Sequence, residues 1–166
     1  MTDPARALLV HFLAAIAYRT QKALRDAPAG FAAFDAGNRV RTPRELVRHM
    51  TSVLGYARTF FLGGSYRPIP LETLDAEVDR FHAMVEELGT LLRDGIALRG
   101  ITEAQLLQGP FSDAMTHAGQ LALLRRLAGV PVPPENFIVA EIDGDRLGAD
   151  QPLPNSPDAE WPEAGC

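Results

Sequence analysis

Apolar residues recur along this chain at spacings of three and four, the period of a helix that buries one face. They do so in four stretches. Asp3-Pro4 supplies an N-cap with proline at the first helical position, and Leu8, Leu9, Phe12, Leu13, Ile16 and Leu24 follow, predicting a first helix over about 4–26. Thr42-Pro43-Arg44-Glu45 is a capping box with a leading proline. It opens a second helix whose stripe of Leu46, Met50, Val53, Leu54, Ala57, Phe60 and Phe61 runs to Gly63-Gly64 and also contains His49. Leu71, Leu74, Val78, Phe81, Val85, Leu88 and Leu92 alternate spacings of three and four, the seam of a bundle helix. Thr102 and Gln105 cap a short helical piece before Gly109-Pro110. The fourth helix then runs to Leu127-Ala128, stops at Gly129 with Pro131 beyond, and turns Asp113, His117, Leu121 and Leu124 to one face.

Four helices of this length, with no internal repeat, predict an all-α four-helix bundle over residues 1–130. The connection after helix 1, with Pro28, Gly30, Gly37 and Asn38, is long enough for a crossover in place of a hairpin. From 131 to 166 the chain is rich in proline and lacks helical period, so it reads as an extended arm, disordered at its end. Phe137, Ile138, Val139 and Ile142 give its first part something to bury, so tethering to the bundle is favoured over service as a lid. Asp143-Gly144-Asp145 lacks the other ligands of a calcium loop and reads as a turn.

Composition narrows the picture. A length of 166 residues, 46% hydrophobic and 22% charged, suits one folded domain. A net charge of −5 with scattered Lys and Arg gives no reason to expect nucleic acid or an acidic membrane as partner, which leaves small molecules or proteins. The apolar run Leu8–Tyr18 is broken by His11 and follows Asp3 without a basic segment, so it is read as neither signal peptide nor membrane span. Cys166, the only cysteine, excludes an intrachain disulfide or a thiolate cluster, and a reducing cytoplasm fits best.

The chemistry-bearing positions are His49, Asp113 and His117. Asp113 and His117 stand one turn apart on a face that continues into Leu121 and Leu124 toward the core, so a carboxylate and an imidazole are expected to point inward together, and His49 lies between Leu46 and Val53 on helix 2. A divalent ion held by two neutral imidazoles and one carboxylate would satisfy all three groups and leave open coordination positions. Hydrogen-bonded core histidines are the competing account of the same pattern. His11 and His82 sit beside the stripes of helices 1 and 3 and are expected to face solvent.

Val47-Arg48-His49-Met50, Asp113-Ala-Met-Thr-His117 and the run Gly119-Gln120-Leu121-Ala-Leu-Leu124-Arg-Arg126-Leu-Ala-Gly129-Val-Pro131 together resemble the DinB-like family over roughly residues 4–130. The resemblance implies a crossover four-helix bundle, frequently a homodimer, holding a zinc, nickel or iron ion through three side chains. Most relatives use three histidines, which puts Asp113 where a histidine is expected. The mycothiol-dependent maleylpyruvate isomerase branch is similar in carrying a carboxylate there, usually the longer Glu. Asp113 is therefore either a ligand or a position where the site has degraded. The implied activity is that of a metal-dependent transferase or isomerase using a low-molecular-weight thiol on a small-molecule substrate. A non-enzymatic stress-associated metal-binding protein and a metal-dependent hydrolase are the alternatives.

Overall fold

The computed structural model describes residues 3–155; Cys166 and the end of the arm lie outside the described residues. Asp3 caps α1 (Pro4–Leu24) by accepting from the Ala5 amide, and Pro4 occupies its first turn. The capping box at Thr42 and Glu45 opens α2 (Pro43–Leu62), which Gly63 ends at φ 78°. Helix α3 (Leu74–Arg93) begins three residues later than the apolar seam suggests. Thr73 caps it, and the Leu71 amide donates to the Glu77 carboxylate outside the helix. A four-residue helix α4 (Glu103–Leu106) passes into a π-helical turn at 107–111, where Pro110 and the non-helical Gly109 break the run before α5 (Ser112–Leu127). No described helix is long and apolar enough to cross a membrane.

The four long helices bury one core around Leu13, Met50, Leu54, Leu88 and Leu121, an all-α four-helix bundle. Around the bundle α1 packs on α3 and α5, and α2 packs on the same two helices, so α1 and α2 are diagonal. The segment 25–42 therefore crosses the end of the bundle, with Phe31 of its short 3₁₀ turn sunk into the core as an anchor. The segment from α3 to α5 also crosses a diagonal, and α4 with the π turn covers that path. This ring order makes α2 and α5 neighbours, which is the placement on which the site depends.

The arm is tethered. Glu135 accepts from the Tyr18 hydroxyl at 2.5 Å and pairs with Lys22 at 2.9 Å, in a setting that leaves its side chain 1% exposed. Phe137 packs under the Arg19 guanidinium, and Arg25 donates to the Gln151 and Pro152 carbonyls. Leu147 occupies the space over Gly89, where a Cβ would lie 2.1 Å from its Cδ1. The Asp143–Arg146 segment is a turn closed by the Arg146 amide on the Asp143 carbonyl.

His11 is exposed, as the sequence suggests, but His82 is not. It is 3% exposed, with Nδ1 3.2 Å from the Leu147 carbonyl and Nε2 3.2 Å from the Gln21 amide oxygen. The arm, which has no helical period to reveal it, covers this face of α3. Burial holds the His82 pKa below its ordinary 6.5. Below about pH 6.5 the unfolded chain therefore takes up a proton that folded His82 refuses. Stability present above that pH is lost as pH falls toward the folded value, by roughly 1.4 kcal/mol per pH unit between the two. Urea unfolding at pH 7 and pH 5 should show this slope, and His82→Gln should flatten it. An unchanged slope in the variant would assign the acid sensitivity to other groups.

Candidate metal centre

The capping box fixes the first turn of α2: the Glu45 carboxylate accepts from the Thr42 amide at 2.9 Å, and Thr42 Oγ1 accepts from the Glu45 amide. One turn on, Leu46, Val47 and Met50 are buried, and His49 stands at the edge of that stripe, half-buried, on the side of α5. On α5, Ala114, Ala118 and Leu121 pack inward beside His117. Asp113 does not share that depth. Its side chain is 51% exposed against 10% for His117, because it belongs to the first turn of α5 at the mouth left by the π turn. The expectation that both groups face the core together holds for the imidazole alone.

The three residues nevertheless meet. One ligand atom from each of His49, Asp113 and His117 lies within 4.8 Å of the other two, a group that can hold a metal ion. The imidazoles stack edge to face with centroids 4.7 Å apart. His117 Nδ1 lies 2.9 Å from the Gln120 side-chain oxygen, so the ring donates its proton there and turns the Nε2 lone pair toward Asp113. Among the described residues the buried Nε2 has no hydrogen-bond partner, yet Asp113 Oδ1 is 3.3 Å away. With Nδ1 donating to Gln120, the neutral ring presents its Nε2 lone pair to the carboxylate, a contact that a bound cation makes favourable, as would a proton on Nε2 in an imidazolium–carboxylate pair. Ligand atoms each about 2.1 Å from one tetrahedral ion stand roughly 3.4 Å apart, so this separation suits the donor set. These residues fit a divalent ion.

Desolvation, then Arg41 and His117, hold the His49 pKa below its ordinary value against the pull of Asp113, which keeps the ring in its neutral, ligating form. Two clefts flank the group. One of about 800 Å³ is lined by His49 together with Arg39, Arg41, Arg48 and Arg67. The other, about 690 Å³, is lined by Asp113 with Val53, Tyr56 and Pro110, and Ser52 borders both.

Two contributors escape sequence reasoning. Gln120 lies three residues past His117, a spacing that identifies it as an orienting partner once His117 is taken as a ligand. Arg41, from the crossover segment where no periodicity signals it, lines the same cleft as His49 and its charge lowers the His49 pKa. No family model, curated protein or solved structure matches the chain.

Proposed function

We propose that the chain is a divalent-metal-binding protein of DinB-like type, a metal-dependent transferase or isomerase that joins a low-molecular-weight thiol to chemistry on a small molecule. The observation that carries this reading is the buried Nε2 of His117, without a hydrogen-bond partner among the described residues and 3.3 Å from the Asp113 carboxylate, with His49 alongside. His49, Asp113 and His117 would hold zinc, nickel or iron, and Gln120 keeps His117 in its ligating tautomer. Bound there, the ion would supply Lewis acidity, enough to lower the pKa of a thiol or water near neutrality. The half-exposed Asp113 and the two clefts leave a path for small molecules to the group. The sequence motifs that resemble the DinB-like family supply the thiol part of the reading.

Elemental analysis of protein purified without added metal, followed by a screen of electrophiles with and without thiols, tests it. About one divalent ion per chain and an ion-dependent consumption of thiol are the expected results. An ion-dependent hydrolysis indifferent to thiols would replace the transferase reading with a hydrolase. Metal without activity would leave a binding protein.

A further inference from the structure

The chain as a whole carries a charge of −5, yet the larger cleft beside His49 gathers four arginines against two carboxylates. Both carboxylates are committed elsewhere: Glu45 to the Thr42 amide and hydroxyl of the capping box, Asp35 to the Gly37 amide. Arg48 is 3.9 Å from buried Glu77. Among the described residues Arg39, Arg41 and Arg67 make no ion pair, and all three are exposed on the cleft.

The backbone that presents them is built at a cost. Gly37, Asn38 and Arg39 run in succession at φ 79°, 51° and 61°, and the Val40 amide closes the turn on the Gly37 carbonyl at 3.0 Å. An arginine in the left-handed region costs on the order of 1 kcal/mol, and such strain persists only where the surroundings impose it. Arg67 is positioned differently. The ring of Tyr66 sits where a Cβ on Gly55 would be, with Tyr66 Cδ1 1.9 Å from that position, which pins the segment after α2 against that helix and brings Arg67 to the lining of the cleft. Two chain segments, one before α2 and one after it, thus contribute arginines to the lining of one cleft, which His49 also lines.

We infer that this cleft is the anion subsite of the metal centre, and that the small molecule taken there is an organic anion, a carboxylate or phosphate ester. Its charged group would be held by Arg39, Arg41 and Arg67 and its apolar part directed past Ser52 toward Val53, Tyr56 and Pro110. Guanidinium groups suit either oxyanion because each offers paired donors in a fork that matches two oxygens. The smaller cleft supplies apolar and aromatic contact at the other side of the triad, so a ligand spanning both would place the atoms between its two ends beside His49 and Asp113. This inference deepens the metal-centre reading and rests on it for the meaning of the subsite, but the anion contacts themselves need no ion.

Calorimetric titration of the full chain, metal-free and metal-loaded, with inorganic phosphate, phenyl phosphate and phenylacetate tests it. At least one phenyl probe should bind the metal-free chain, and more tightly than inorganic phosphate. The better of the two identifies the anion as phosphate or carboxylate. Arg41→Ala with Arg67→Ala should weaken that binding at least about tenfold with unchanged helical circular dichroism. Tyr56→Ala should weaken the phenyl probe and leave inorganic phosphate unaffected. Failure of all three probes at millimolar concentration, or equal binding by the arginine variant, would overturn the subsite. Anion binding by a chain that takes up no divalent ion would overturn the metal reading alone.

Discussion

In His49→Ala, stoichiometric metal binding is expected to disappear, with affinity falling at least about a hundredfold. His49 is the only donor of the group on α2; its loss leaves Asp113 and His117, one turn apart on a single helix. Full retention of metal by this variant would remove His49 from the ligand set. Gln120→Ala should weaken binding by about ten- to a hundredfold, because it frees the ring that Gln120 orients. Asp113→Asn should weaken it as well, keeping the shape of the side chain while removing the charge that faces Nε2. None of these changes should unfold the chain. Leu13, Met50, Leu54, Leu88 and Leu121 form a core that does not pass through the triad, and Asp113 lies at the rim. Chelation is therefore expected to leave helical circular dichroism intact at room temperature. A cooperative loss of that signal would make the ion a structural staple between α2 and α5.

The helices were legible because their signals are local. Thr42 and Glu45 fix the start of α2 by two hydrogen bonds between neighbours, and the period of Leu74, Val78, Phe81 and Val85 marks the buried side of α3. Leu71 shares that period and is outside the helix, because the cap at Thr73 and the bond from the Leu71 amide to Glu77 compete with one more turn. The candidate ligands were legible for the same reason as the helices: Asp113 and His117 need only spacing, and His49 needs only its neighbours. Depth was not legible. The exposure of Asp113 follows from the π turn at Gly109 and Pro110, and the burial of His82 follows from Leu147, sixty-five residues away in sequence. The arginine cleft is assembled by a crossover whose path depends on which helices are diagonal, a property of the ring and of no single segment.

Arg125→Met is expected to cost about 3–5 kcal/mol of stability. Arg125 is 6% exposed on α5. Its Nε donates to the Val130 carbonyl at 3.0 Å, and its Nη1 donates to the carbonyls of Ala23 and Arg25 at 3.0 and 2.9 Å. One guanidinium thus closes the C-terminal end of α1, the first residue of the crossover segment and the chain just past α5. The two carbonyls at the end of α1 carry the negative pole of that helix and have no intrahelical donor, so a buried cation suits them. Methionine fills similar volume but leaves three inward carbonyls without a donor, a penalty of roughly 1–3 kcal/mol for each one that water cannot reach. Burial lowers the pKa of the guanidinium, although an arginine begins so high that it stays charged at neutral pH. Arg125→Lys should fall between, since a single ammonium cannot reproduce the fork that reaches both chain segments. Urea unfolding measures the difference directly, and a loss below about 1 kcal/mol would show that the three carbonyls find other donors. The consequence reaches the site. The segment released at Arg25 is the one that ends in Arg39, Arg41 and the cap of α2, so Arg125→Met should loosen the wall of the arginine cleft before it disturbs α5 beneath His117.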